Sequence, residues 1–146
     1  MRISDVLADK GGHVVTVWPD TRLGYVTQLF DTRNIASVVV ADRSGRQVGI
    51  VTDRELVRAV ARHGAQALEL RASQVMLSPA LACGPDDTVG EVLRLMTDNR
   101  ITHILVLRDT TMLGIVSIGD LVKIRLTDAE LENRVLRELA LARLVG

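Results

Sequence analysis

Two tetrapeptides in this 146-residue sequence carry residue types at a spacing that suits chemistry: Thr52-x-x-Glu55 and Ser117-x-x-Asp120. Each follows an apolar Gly-Ile-Val, as Gly49-Ile50-Val51 and Gly114-Ile115-Val116. That order reads as a buried strand running into a helix, with a hydroxyl at the helix cap and a carboxylate three residues on. Such a pair satisfies free backbone N–H groups reciprocally, as a capping box. The same geometry also suits a nucleotide. A helix start offers unpaired N–H groups and a positive dipole end to a phosphate, and a carboxylate accepts hydrogen bonds from both hydroxyls of a ribose. Gly119 lets a ligand approach the backbone closely. For Asp120 capping and ribose binding stand as alternatives, because one carboxylate does not fully serve both.

The elements that must position these junctions occur twice. Residues 2 to 8 suggest a short lead-in helix capped by Ser4, broken at Gly11-Gly12. His13 to Val17 reads as a strand, and Pro19-Asp20-Thr21 turns into a helix with Leu23, Val26, Leu29 and Phe30 on one face, ending at Asn34. Ser37 to Ala41 is a buried strand, Asp42 to Arg46 a hairpin turn, and Val48 to Val51 the returning strand. Thr52 opens a helix carrying Leu56, Val57 and Val60, which His63-Gly64 ends. Ala65 to Ala72 is a linker. Gly24, Val26 and Leu29 then recur 66 positions later as Gly90, Val92 and Leu95, as do Ile35 and Val38 in Ile101 and Ile104. The Gly-Ile-Val runs lie 65 apart. Pro79 to Cys83 takes the place of the first strand. A constant offset across successive elements is the signature of a duplicated unit. Each copy runs strand, helix, strand, strand, helix, and two packed together can bury both sheet faces, an α/β pair with pseudo-twofold symmetry. Beyond it, Thr127-Asp128-Ala129-Glu130 has the form of a capping box. It opens an amphipathic helix with Leu131, Val135 and Leu139 in line and Leu136, Ala140 and Leu144 beside them. That face packs either on its own domain or in a dimer.

Composition removes several function classes. With 47% hydrophobic and 25% charged residues the chain is globular. Eighteen basic residues balance eighteen acidic ones, so nucleic-acid binding lacks electrostatic support. Trp18, Tyr25 and Phe30 are the only aromatics, which leaves a planar ligand to lie between aliphatic side chains. Cys83 stands alone and fits a packing role. No nucleophile–base pair, metal-ligand cluster or Walker loop is visible, so the reading is not an enzyme, with no catalytic residue and no metal. Apolar runs are too short to cross a bilayer and no signal peptide precedes them, which points to the cytoplasm.

The repeat order, with Gly-hydrophobic-Val-Thr/Ser-x-x-Asp/Glu closing each half, resembles a tandem pair of cystathionine β-synthase (CBS) domains, a Bateman module. The lead-in Ile3-Ser4-Asp5-Val6-Leu7, the linker Ser73 to Pro79, and the turns Pro19-Asp20-Thr21 and Pro85-Asp86-Asp87-Thr88 match as well. The resemblance implies two βαββα repeats, 1–70 with the lead-in helix and 71–126, followed by a C-terminal helix over 127–146. It also implies a regulatory, dimerising module that binds adenine nucleotides (AMP, ADP, ATP, NAD(H) or S-adenosylmethionine), AMP or NAD(H) foremost, and signals to a protein partner. Carried over, Asp120 and Glu55 hold ribose hydroxyls, while Thr52 and Ser117 contact phosphate or ribose. Adenine lies against His13, Val14, Val15, Ile35 and Ser37 in one cleft and against Pro79, Leu81, Ile101, His103 and Ile104 in the other. Swapped packing gives Asp120 to the first of these. Lys10, Arg54 and His103 are phosphate candidates. Glu55 stands where the family more often has Asp, and the second strands lack a proline many members carry, so the Asp120 site is the better preserved. The alternative function is a ligand-independent dimerisation or scaffold module.

Overall fold

The structure is a computed structural model and describes residues 1–145. In chain order its elements are α1 (Ile3–Lys10), β1 (Thr16–Val17), α2 (Leu23–Arg33), β2 (Ser37–Ala41), β3 (Gln47–Thr52) and α3 (Asp53–His63). A 3₁₀ helix (Gly64–Glu69) leads to α4 (Ala72–Val75), β4 (Ala82–Cys83), α5 (Val89–Asn99), β5 (His103–Arg108), β6 (Thr111–Ser117) and α6 (Ile118–Val145). They form two compact units, one of His13–Ala82 and one of Met1–Gly12 with residues 83–145.

In the first of these units β1 runs parallel to β2, and β2 pairs antiparallel with β3, setting Ser37 opposite Thr52 and Val38 opposite Val51. Val38, Val39 and Val40 are fully buried, as the unbroken β-branched run requires. Leu23, Val26 and Leu29 from α2 pack against this sheet's core with Val17, Val51 and Ala59. The other unit repeats the scheme with β4, β5 and β6, setting His103 opposite Ser117 and Ile104 opposite Val116. Its buried side chains include Ile3, Val6, Val92, Met96, Ile104 and Leu121. Corresponding details recur. A register shift falls at Val40/Ala41 and again at Val106/Leu107. A left-handed residue closes each first helix, Asn34 with φ 51° and Arg100 with φ 53°.

The lead-in segments are exchanged between the repeats. Ile3 and Ser4 donate their backbone N–H groups to Asp87 and Pro85 of the second repeat's turn. Ala72 and Ser73 donate in the same way to Thr21 and Pro19 of the first repeat's turn. Each segment then crosses the last strand of its sheet at a glycine. A Cβ on Gly114 would lie 2.9 Å from Leu7 Cδ2, and one on Gly49 would lie 2.7 Å from Met76 Sδ and 2.9 Å from the Leu77 carbonyl oxygen.

Several local expectations differ from this structure. Ser4 is not the cap of α1; Arg2 holds that place, and its N–H is taken by the Asp5 side chain. The stretch from His13 pairs only from Val15 onward, because a ladder needs a neighbour as well as β-branched residues. Pro79 to Cys83 likewise reduces to the two residues of β4. The linker after Gly64 is helical, a 3₁₀ turn followed by α4. Val57 and Val60 are exposed, and α3 packs instead through buried Ala59 and half-buried Leu56, the one expected residue that reaches the core. Thr127 is not a cap: α6 runs through it without a break, and its hydroxyl donates to the Lys123 carbonyl 3.0 Å away. Nothing between Leu121 and Leu126 stops a helix already started at Ser117. The leucines beyond it do not pack on the unit.

Cys83 is buried, and burial followed by the charge of Asp87 pushes its thiol up to about 12. It therefore remains protonated at neutral pH. Iodoacetamide should label native protein at pH 8 far more slowly than protein in denaturing urea; equal rates would contradict the burial.

Gly12 comes closer still to its neighbour, since a Cβ there would stand 2.6 Å from the Leu113 carbonyl oxygen. Because backbone cannot swing aside like a side-chain end, Gly12→Ala should cost about 1–3 kcal/mol in urea denaturation.

Candidate functional site at the strand-to-helix junctions

The junction of β6 with α6 places four groups together. The Ser117 N–H donates to Asp120 Oδ2 at 2.8 Å, and the Asp120 N–H donates to Ser117 Oγ at 3.1 Å. This is the reciprocal cap expected from the spacing. Lys10, the last residue of α1, donates from Nζ to the same Oδ2 at 2.6 Å and to the Ile115 carbonyl at 2.9 Å. Both capping and ion pairing thus fall on Oδ2 and neither uses Oδ1. The sequence reading set capping against ribose binding. In the structure the cap is formed, on Oδ2.

Burial raises the Asp120 pKa, but the Lys10 hydrogen bond and the Ser117 N–H, helped by the lysine's charge, outweigh it. The carboxyl is held below its ordinary 3.8. Its folded-state pKa is thus depressed, so its contribution to stability is complete above the ordinary carboxylate range. That contribution is lost as pH falls through the lowered value. Both partners keep contact with solvent, with 36% and 27% of their side-chain surfaces exposed, so the pair contributes at most about 1 kcal/mol.

The junction of β3 with α3 is similar in outline and different in detail. Glu55 Oε1 accepts from the Thr52 N–H and from the Thr52 hydroxyl, each at 2.9 Å. The Thr52 oxygen accepts from the Arg54 N–H at 3.2 Å. Thr52 is buried, with 7% exposure. No lysine reaches Glu55 from the lead-in segment. Leu7 over Gly114 and Met76 over Gly49 mark the equivalent crossings, yet α1 continues past its crossing to Lys10 whereas α4 ends at Val75. A surface cavity of about 170 Å³ opens beside Glu55, lined also by Arg58, Arg62 and His63. That is below the roughly 300–1,000 Å³ of small-molecule pockets.

The remaining expected site residues divide by unit. Lys10, Ile101, His103, Ile104, Ser117, Gly119 and Asp120 belong to one. His13, Val14, Val15, Ile35, Ser37, Thr52, Arg54, Glu55, Pro79 and Leu81 belong to the other. His103 lies beside the Ser117 end of its sheet, with Nδ1 3.0 Å from the Thr102 hydroxyl. Gly119 is exposed, and a Cβ there would meet only Ser117 Oγ at 3.6 Å. Ile104 is fully buried and presents no surface to a ligand. His13 and Pro79 are exposed outside the strands. Among the described residues no group of three or more His, Cys, Asp and Glu side chains is placed to hold a metal ion. Among the described residues no helix is long and apolar enough to cross a membrane. The Lys10–Asp120 contact was not legible in the sequence, where Lys10 read as a phosphate partner; the signal lay in the three residues by which α1 outruns its Leu7 crossing.

The family model for the CBS domain matches residues 3–62 and again 72–127. The chain belongs to the CBS-domain family. A solved CBS-domain containing protein of Agrobacterium tumefaciens is 38% identical, with a TM-score of 0.82 over 85% of this chain and 92% of that one. The mitochondrial CBS domain-containing protein CBSX3 of Arabidopsis thaliana is 31% identical over 129 residues, 83% of this chain. This chain spans 63% of that protein's length. A Pyrobaculum aerophilum CBS domain protein solved with AMP is 24% identical, with a TM-score of 0.71 over 82% of this chain and 89% of that one, a likeness of fold.

Replacing Lys10 by Met should move the Asp120 carboxyl back toward its ordinary range, read from its side-chain chemical shift against pH. An unchanged midpoint would mean that the cap alone holds it down.

Proposed function

We propose that this CBS pair is a regulatory module that binds an adenosine-containing nucleotide at the Ser117–Asp120 junction and carries out no catalysis itself. AMP and NAD(H) lead the candidate ligands. The supporting observation is the division of labour at Asp120, where cap and lysine use Oδ2 and leave Oδ1 to accept from ribose hydroxyls. The start of α6 adds its positive end nearby, and exposed Gly119 keeps the approach open. Lys10 supplies the positive charge that a phosphate needs, at the cost of its present partner. The AMP complex of the Pyrobaculum protein supports the ligand class through the shared fold.

Glu55 is the weaker site in this reading. Its Oε1 is committed to both Thr52 donors, no lead-in cation stands beside it, and the adjacent cavity is small. Binding that favours one arrangement of the module over another is what would transmit a signal to a protein partner. The second reading, a ligand-independent scaffold, is favoured by the fact that both carboxylates already serve as caps.

Titration calorimetry with AMP, ATP and NADH separates the two. At least one should bind, and Asp120→Ala should weaken it at least tenfold while Glu55→Ala changes it less. Gly119→Ala should leave the fold as stable or up to about 1 kcal/mol more stable, yet weaken binding by crowding the approach. If no adenosine compound gives heat or a thermal shift, the scaffold reading stands instead.

A further inference from the structure

At the hairpin end of the sheet in the His13–Ala82 unit a cavity of about 450 Å³ opens. It is lined by Val17 and Trp18 from the end of β1 and by Ala41, Asp42 and Arg43 from the hairpin. Its volume falls in the roughly 300–1,000 Å³ range of small-molecule sites. Ser37 and Thr52 pair at the opposite end of β2 and β3, so the cavity stands roughly 13 Å along the strands from the Thr52–Glu55 junction.

Trp18 is the one tryptophan of the sequence, and 46% of its surface is exposed. Its backbone is fixed. The N–H donates to Thr21 Oγ1 at 3.0 Å, and the carbonyl accepts from the Thr21 N–H at 3.1 Å. The hairpin is held as well. Asp42 Oδ1 accepts from the Ser44 N–H, the Ser44 hydroxyl and the Arg46 N–H, so that carboxylate belongs to the turn. Walls tied by their own hydrogen bonds need little further ordering when a ligand enters.

Arg43 is the group left to choose the ligand. Its guanidinium lies 4.3 Å from the centre of the Trp18 ring and 4.0 Å from Asp20 Oδ2. The second contact is too long for a hydrogen bond, and between exposed side chains it holds little. The fork that fits a carboxylate bidentately is therefore uncommitted. An indole face beside that fork, next to apolar Val17 and Ala41, matches a flat aromatic ring carrying a carboxylate. The ring stacks where Arg43 now lies, and Arg43 turns on its flexible stem to pair with the acid. A cationic ligand would instead expel Arg43 and leave it unpaired, and an aliphatic acid would forgo the stacking.

We infer that this cavity is a binding site for planar aromatic carboxylates, sharing no residue with either strand-to-helix junction. Naphthoate is the probe, and the indole N–H resonance of Trp18, the protein's only one, is the readout. That resonance should shift and saturate with naphthoate, with the same midpoint by calorimetry. Naphthalene carboxamide, which keeps the ring and drops the charge, should bind about fivefold more weakly. Cyclohexanecarboxylate should leave the resonance in place over the same concentrations. Arg43→Gln should erase the preference for acid over amide while thermal unfolding stays unchanged. Trp18→Leu, followed by calorimetry, should abolish binding of both. The inference is overturned by a resonance that never saturates, by equal affinity for acid and amide in the unaltered protein, or by tighter binding of naphthylmethylammonium.

Discussion

Where Leu7 passes Gly114 and Met76 passes Gly49, a lead-in segment lies on a strand with no Cβ between them. A methyl group at either glycine would need atoms to move from within 3 Å. The approach fixes where α1 ends, and the end of α1 fixes Lys10. Lys10 in turn reaches both the Ile115 carbonyl and the Asp120 carboxylate, one residue before β6 buries its last apolar pair and three beyond the turn into α6. The electrostatics of the junction therefore follow from a backbone contact on the strand behind it. In the other unit α4 ends at Val75, short of the Met76 crossing, and carries no lysine onward to Glu55.

That difference breaks the symmetry that duplication created. Both junctions cap their helices by the same device, and both place the carboxylate at the third helical position. Aspartate, one methylene shorter, leaves its helix-facing oxygen to the cap and draws its lysine to the same atom. Glutamate folds back to collect both the amide and the hydroxyl of Thr52. One site is thus electrostatically coupled to a distant lead-in helix, and the other is closed on itself. Copies of a motif that bond alike locally can diverge through whatever the rest of the fold brings near them.

The duplicated architecture was legible because the offset of 66 between Gly24 and Gly90 is kept through Ile35 and Val38 and shortens by one residue at the Gly-Ile-Val runs. Burial then follows pattern: Val38 to Val40 and Ile104 to Val106 are the cores their apolar runs imply. Capping at Thr52 and Ser117 was legible too, since hydroxyl and carboxylate three apart act within one turn. What escaped the sequence depends on neighbours far along the chain. His13 and Val14 have β-branched company but no adjacent strand to pair with. Thr127 and Glu130 have a capping spacing, but a helix already under way simply absorbs them. Ile104 reads as a strand residue near a ligand, and only its burial shows that it faces the core. The lysine beside Asp120 lies 110 positions away and no local rule links them.

The exchanged lead-ins also change what counts as a part of this protein. His13–Ala82 is one continuous stretch, whereas its companion unit is assembled from residues on either side of it. In topological terms the first unit is an insertion carried within the second, between Gly12 and Cys83. The repeats visible in the sequence are therefore not the pieces that can be lifted out. A cut at the repeat boundary would strand α1 without its docking turn and leave the first sheet without the segment that crosses Gly49. Excision at 13 and 82, with the flanks rejoined, follows the seams of the fold instead.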